Sequence, residues 1–411
     1  MRARRVLFFA EAVTLAHVAR PMALAQGLAP ASCVTIIACD SRYRRFLEGG
    51  PWKNVPLASI STQQFLHALA RGSPVYDTAT LRAYVSEDLK LIARVKPDLI
   101  VGDFRLSLSV SARIAGVPYA AVSNAYWSPY YARHGFPLPV LPMTRHLPLP
   151  LANLLFQAAR PLAFGLHCQA LNRVRREHGL ASLGNDLRRV YTDADYTLYA
   201  DSERMFPTER RPENHRYLGP IIWSPPVPFP TWWHDLPTDR PVIYVTMGSS
   251  GDAFLTHRVL EALADLPVTI MASMAGAAAP ARLPANVFTS DYLPGTQAAA
   301  RSKLVICNGG SPTSHQALAA GVPVLGIAGN MDQFLNMQAI VEANAGLVVR
   351  ADRVRQNELC EHVVALLAGA AHGHANALVV EHDAALAPQR FATFVAATTI
   401  GAPKSSARMI V

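Results

Sequence analysis

The stretch Leu304-Val-Ile-Cys307-Asn308-Gly309-Gly310-Ser-Pro312-Thr313-Ser-His-Gln316-Ala-Leu318 decides how this chain is read. Four apolar residues ending at Cys307 suit a strand buried on both faces. Asn308-Gly309-Gly310 then forms a turn, and a helix is expected to begin at Pro312 or Thr313, because proline is well placed in a helix's first turn. Glycines let a backbone approach a ligand, and the N–H groups of a helix start favour an anion such as pyrophosphate. A Gly-Gly before a helix is by itself an ordinary turn, so the weight falls on what surrounds it.

Working outward, Gly321-Val-Pro-Val-Leu-Gly-Ile-Ala-Gly-Asn-Met-Asp332-Gln333 reads as another strand ending in a polar loop. Asp332 and Gln333 then sit at a strand's carboxyl end, where open α/β sheets bind ligands. A carboxylate beside an amide suits sugar hydroxyls, although Asp332 could also serve only to cap the following helix. Other short apolar runs are Val6–Phe9, Val34–Ile37, Leu99–Val101, Tyr119–Val122, Tyr196–Tyr199, Val242–Thr246, Val268–Met271, Val287–Thr289 and Val324–Ile327. Helical patterns lie between many of them, over Leu81–Val95, Ser107–Ala115, His257–Ala264, Ser314–Ala320 and Met331–Ala343. This alternation predicts doubly wound α/β architecture.

The alternation comes in two blocks, separated by the proline-rich run that begins at Gly219 and reaches Pro241. Residues 1–225 are expected to form one Rossmann-like domain, 226–240 a linker, and 241–385 a second Rossmann-like domain, with a ligand cleft between the two. Residues 386–411 are expected to hold a helix that crosses back, and a tail. The proline-rich stretch Arg133 to Pro161 reads as a long loop with short helices.

The segment resembles the donor-binding signature of family 1 glycosyltransferases, which include bacterial macrolide and glycolipid glycosyltransferases. Tyr292-Leu293-Pro294 is similar to the family's aromatic start, whose ring stacks on the nucleobase. Gly310 and Thr313 match its phosphate-binding positions, with Gly309 in the same turn, and Asp332-Gln333 matches its sugar-binding pair. Gly248-Ser249-Ser250 resembles the family's second loop beside the phosphates. Two positions depart: Asn308 stands where the family usually has a histidine, and Gln316 where it usually has a ribose-binding glutamate. Glutamine is less suited to gripping both ribose hydroxyls, which raises a thymidine-diphosphate donor, with its deoxyribose, as an alternative to a uridine one. The resemblance implies the GT-B fold, a UDP- or dTDP-sugar as donor, inversion at the sugar, and no requirement for a metal or other cofactor.

Transfer to a hydroxyl needs a base, and histidine is suited to it. His17 follows the first strand and loop, at the start of the first helix. Ala16-His17-Val-Ala-Arg-Pro21 is similar to the Gly-His-x-x-Pro-like context in which the family carries its base. Asp103, ending the apolar run from Leu99, is the candidate carboxylate that orients His17. The rival for each is a structural role at a helix start.

The 411 residues are 51% hydrophobic and 16% charged, with a formal net charge of +9. That balance suits an anionic ligand or a membrane surface, and the scattered basic residues argue against nucleic acid. Five cysteines without a CxxC spacing argue against a disulfide framework or a zinc site, so a cytoplasmic location is expected. The basic start at Arg2 to Arg5 has a signal-like flavour. Glu11 and His17 interrupt the apolar run behind it, which favours a buried strand. Tyr126-Trp127, Tyr130-Tyr131, Phe136 and Leu138 to Leu141 are candidates for an apolar acceptor wall. With the basic N-terminus they suggest a small apolar or lipid-like acceptor, and peripheral contact with the membrane's inner face. Two other readings stand beside transfer: a nucleotide-sugar 2-epimerase, and a non-catalytic nucleotide-sugar binder.

Overall fold

The computed structural model describes residues 3–133, 135–237, 239–249, 253–280 and 282–398. They fall into two compact units. The first holds residues 3–133, 141–221 and 385–398, and the second holds 135–140 and 222–384.

The first unit is built on a seven-stranded sheet. Its strands are β1 (Arg4–Ala10), β2 (Cys33–Cys39), β3 (Lys53–Pro56), β4 (Leu99–Asp103), β5 (Tyr119–Ser123), β6 (Tyr196–Tyr199) and β7 (His215–Tyr217). All pairings are parallel, in the order β3-β2-β1-β4-β5-β6-β7. The stretch with the signal-like start is thus the central strand. Val6 through Ala10 are fully buried, which no alternating pattern would permit and a two-faced parallel strand requires. The first helix, Ala16–Gln26, packs on this sheet, and the C-terminal helix, Leu386–Ala397, packs on the first helix. Phe391 meets Phe8 with ring centroids 5.6 Å apart.

The second unit carries β8 (Val242–Thr246), β9 (Thr269–Ser273), β10 (Val287–Ser290), β11 (Leu304–Cys307), β12 (Val324–Ala328) and β13 (Gly346–Arg350). They run parallel in the order β10-β9-β8-β11-β12-β13. Both sheets contain the 3-2-1-4-5-6 strand order of dinucleotide-binding folds. In each, the strand order reverses beside the first strand, between β1 and β4 and between β8 and β11. Such folds bind ligands at that reversal, outside the carboxyl ends of the strands.

The expected long loop over Arg133 to Pro161 is not what forms. Residues 135–140 form neither helix nor strand and belong to the second unit, and a 29-residue helix spans Leu149–Glu177 with Pro161 inside it. Proline removes one rung of the helix, at about 3 kcal/mol. Burial of Ala152, Phe156, Cys168, Leu171 and Val174 on one side offsets that, at about 1.5–3 kcal/mol for each large side chain. The aromatic stripe divides in a similar way. Tyr126 and Tyr131 are buried against Phe206 and belong to the core.

Candidate active site

In the first unit, β1 and β4 end side by side, with Ala10 paired to Asp103. The chain leaves β1 through Glu11 and enters the first helix at Ala16, which places His17 over the end of β4. His17 Nδ1 lies 2.8 Å from Asp103 Oδ1. A carboxylate only accepts, so Nδ1 carries the proton and Nε2 keeps the lone pair that a base needs. Asp103 is almost wholly buried, whereas His17 retains 16% of its side-chain exposure, enough to meet a substrate.

Arg20, one turn along the same helix, completes the group, and sequence reasoning passed over it. Its Nε lies 2.7 Å from Asp103 Oδ2 and its Nη2 2.9 Å from Oδ1. Nη2 is also 3.1 Å from His17 Nδ1. Nη1 donates to Asn124 Oδ1 at 2.9 Å, and Asn124 Nδ2 donates to Asp201 Oδ1 at 2.8 Å. A buried chain of polar contacts therefore runs from His17 through Asp103, Arg20 and Asn124 to Asp201, linking the ends of β4, β5 and β6. The sequence did hold a signal: three residues separate His17 from Pro21, where the similar motif has two, and Arg20 is among them.

Phe104 stacks on the His17 ring with centroids 4.9 Å apart and planes 17° off parallel. Its backbone is left-handed, at φ 60°, which costs a non-glycine residue about 1–2 kcal/mol. The next residue anchors it. Arg105 is fully buried, donating to Glu11 Oε2 at 2.9 Å, to Asp88 Oδ1 at 2.9 Å and to the Ala58 carbonyl at 2.7 Å, with its guanidinium 3.5 Å over the Tyr84 ring. Burial pushes the Glu11 and Asp88 carboxyls above the usual carboxylate range, and Arg105 offsets only part of that rise. Glu11, the residue that broke the apolar run in the sequence, thus belongs to the clamp that sets the Asp103–Phe104 turn.

The second unit carries the remaining predicted residues on the segments that follow β8, β10, β11 and β12. Gly309 sits at φ 79°, and a Cβ there would lie 2.7 Å from Met337 Cγ, so only glycine fits the turn. Asn308 is buried. Its Oδ1 accepts from the Gly310 N–H at 3.0 Å, and its Nδ2 lies in van der Waals range of where a side chain on Gly248 would begin. The loops after β8 and β11 are thereby in contact. Ser249 lies beside Gly248, and Ser250 is outside the described residues. The helix after the glycine turn is Ser311–Ala319, one or two residues earlier than expected. Gly310 caps it without a side chain, and Thr313 in its first turn is partly exposed. Such an N-terminus is suited to a phosphate.

Gln316 is buried, and its Nε2 donates to the main-chain carbonyl of Trp223. It also packs on Gly295, the residue after Tyr292-Leu293-Pro294. Leu293 is buried, whereas Tyr292 is partly exposed. Asp332 and Gln333 open the helix Met331–Glu342, but Asn330 is its cap. Gln333 is committed to this cap: its N–H donates to Asn330 Oδ1 at 3.0 Å, and its Oε1 accepts from Gly329 N–H at 2.8 Å and Asn330 N–H at 3.2 Å. Asp332 is partly exposed beside it. Sequence reasoning also missed Asn336, whose Nδ2 donates to the Gly309 carbonyl and to Ser314 Oγ, both at 2.8 Å, tying the glycine turn to the helix Ser311–Ala319. Its position two helical steps of three beyond Asn330 was the available signal. Of the candidate wall residues, Leu138 to Val140 lie beside this loop. The Val140 N–H donates to the Gly329 carbonyl at 2.8 Å, and Arg350 donates to the Leu138 carbonyl at 2.6 Å.

Residues 257–397 match the family described as the erythromycin biosynthesis protein CIII-like C-terminal domain. Over 369 residues the chain is 52% identical to a PGL/p-HBAD biosynthesis glycosyltransferase of Mycobacterium tuberculosis, spanning 90% of this chain and 86% of that protein. Over 380 residues it is 50% identical to a PGL/p-HBAD biosynthesis rhamnosyltransferase of Mycobacterium bovis, spanning 92% and 84%. Among solved structures, a spinosyn rhamnosyltransferase complexed with thymidine diphosphate superposes with a TM-score of 0.68, covering 96% of this chain and 100% of that one. At 16% identity, that last likeness is one of fold.

Proposed function

The chain belongs to the family 1 glycosyltransferases of the macrolide and glycolipid type, and from that premise we propose that it transfers a rhamnosyl or related hexosyl group from a thymidine-diphosphate sugar to a hydroxyl of a small apolar or lipid-like acceptor, with inversion. The protein is a glycosyltransferase with two parallel-sheet Rossmann-like domains. The names of its relatives favour rhamnosyl transfer in PGL/p-HBAD biosynthesis. Gln316 in place of a charged ribose acceptor favours the deoxyribose of thymidine.

The observation that carries the chemistry is the His17–Asp103 pair at the reversal of the first sheet. In the proposed reaction His17 Nε2 takes the proton of the acceptor hydroxyl. The freed oxygen attacks the anomeric carbon in line, forming the new glycosidic bond as the bond to the nucleoside diphosphate breaks. The diphosphate leaves with the electron pair, met by the N–H groups at the start of the helix Ser311–Ala319 and by the Asn308 amide. Asp103 stabilises the imidazolium that forms, and one displacement without a covalent intermediate inverts the anomeric carbon. Asp332 and the amide N–H groups of Gln333 are assigned to the sugar hydroxyls. The donor's leaving group is met here without assigning any role to a metal.

The test is a transfer assay with matched thymidine and uridine donors and a panel of apolar hydroxyl-bearing acceptors. His17→Ala should lower kcat by about 100-fold or more, in the range typical of a lost general base. Asp103→Asn should lower kcat with little change in donor KM. Full activity in His17→Ala would remove it as the base, and a strong uridine preference would remove the donor assignment. Change of the sugar nucleotide without an acceptor would favour epimerisation instead.

A further inference from the structure

The long helix Leu149–Glu177 has an exposed face that none of the foregoing chemistry uses. Ten large apolar residues are exposed among the described residues, and five of them are Leu151, Leu154, Leu155, Leu162 and Leu166 on this helix. Leu154 and Leu162 are 67% and 71% exposed. Scattered exposed leucines are ordinary, but these recur at helical spacing and share one side of the rod. The opposite side is already packed. Cys168, Leu171 and Val174 lie in a cluster with Val110, Leu187 and Val190, and Phe104, the ring that stacks on His17, packs against the same cluster.

Charge points to what meets this face. Residues 104–176 contain no Asp or Glu and eight Arg. At 3.6 residues per turn, Arg173 and Arg176 continue the leucine stripe toward the helix's end. Both are exposed, as is Arg145 just before its start. Glu177, the first acid beyond the segment, is held by Arg82 at 2.5 Å and lies 3.6 Å from Arg173. Leucines along one face with arginines at both ends are the pattern of a helix lying in the plane of a lipid interface, acyl chains under the leucines and phosphates at the arginines. Among the described residues no helix is long and apolar enough to cross a membrane, so lying on the surface is the geometry available to this one. A second copy of the chain fits less well. Paired antiparallel, Arg173 and Arg176 of each copy would face Arg145 of the other.

We propose that this face docks the enzyme onto an anionic bilayer surface. The docking extends the reading of an apolar acceptor, because the helix that rests on the lipid shares its packed side with the ring that positions the base. The experiment is sedimentation of the full chain with vesicles of phosphatidylcholine alone and of phosphatidylcholine mixed with phosphatidylglycerol. The protein should pellet with the mixed vesicles and lose that association as salt rises. Leu154→Glu combined with Leu162→Glu should weaken binding on the order of tenfold or more, and Arg173→Glu combined with Arg176→Glu should abolish the preference for anionic lipid. Both variants should keep the wild-type unfolding temperature and transfer to a water-soluble acceptor. Failure of the wild type to pellet with either vesicle overturns the proposal, as does undiminished pelleting of the leucine variant. Self-association that the leucine variant abolishes, without vesicle binding, also overturns it. Vesicle binding without transfer to any lipid-like acceptor would leave the docking face standing and remove the acceptor reading instead.

Discussion

Arg20 grips both oxygens of Asp103, with Nε 2.7 Å from Oδ2 and Nη2 2.9 Å from Oδ1. A buried carboxylate needs a cation beside it, and a guanidinium is always one. Asp103 therefore has a counter-charge of its own in Arg20. The charged groups around the ring are Asp103 at the end of β4, Arg20 on the first helix and, through Asn124, Asp201 after β6. Arg20→Met should lower kcat by about tenfold or more, because Asp103 loses its buried counter-charge and holds the His17 ring less firmly. Donor KM should hold steady, and Arg20→Lys should restore part of the rate. An unchanged kcat in Arg20→Met would reduce Arg20 to a packing residue.

The structure gives a reason for glutamine at position 316. Its Nε2 donates to the Trp223 carbonyl, whereas a glutamate there would set one acceptor against another. Gln316→Glu should destabilise the fold by about 1–3 kcal/mol, the cost of a buried acceptor left without its donor. Denaturant unfolding reads this directly. The same variant should narrow the preference for thymidine over uridine donors, measured as the ratio of kcat/KM. Unchanged stability would show that the side chain turns away from Trp223.

Gly309 combines a left-handed backbone with Met337 packed where a side chain would begin. Gly309→Ala should therefore raise donor KM several-fold and cost about 1–2 kcal/mol from the backbone alone. Met337→Ala in the same chain relieves the contact but not the backbone, so it should recover only part of the stability.

Acid should weaken the first unit through His215. Its Nδ1 lies 2.6 Å from the Tyr199 hydroxyl, and burial followed by the charge of Arg211 pushes it down to about 4. The folded protein thus keeps His215 neutral, while the unfolded chain takes up a proton near pH 6.5. Between those values the unfolded state binds more protons, so stability falls as pH drops from about 6.5 toward 4 and then levels off for this group. Unfolding temperature against pH should show that decline, and His215→Asn, which keeps an acceptor for Tyr199, should flatten it.

The central strands were legible because continuous apolar runs have few other uses. Val6 to Phe9, Leu99 to Val101 and Leu304 to Cys307 each became an inner strand. The strands that escaped reading, β3, β7 and β13, are all edges, and edges need not be apolar throughout. Lys53–Pro56 is mostly exposed and carries a lysine and a proline, which are residues suited to blunting an edge. The long helix escaped because Pro161 and its neighbours satisfied a loop rule that tertiary packing overrode. At the site, the glycine turn and the His17–Asp103 pair were readable from strand ends. Arg20 and Asn336 left only a spacing as signal and Phe104 left none, because each acts through a partner that only the fold brings near. Gln333 shows the reverse case, a residue assigned to sugar whose backbone cap also needs it.

The C-terminal helix has a consequence for how the protein is made. Phe391 follows its ring partner Phe8 out of the ribosome only after nearly all of the described residues between them have been made. At typical translation rates the wait is roughly 20–80 s, during which the central strand of the first unit lacks one of its covers. Residues 222–384, by contrast, form a sheet whose strands all emerge together. The later half of the chain can thus settle while the earlier half stays unfinished, and the nascent N-terminal segment is the part most exposed to chaperones, proteases and premature aggregation.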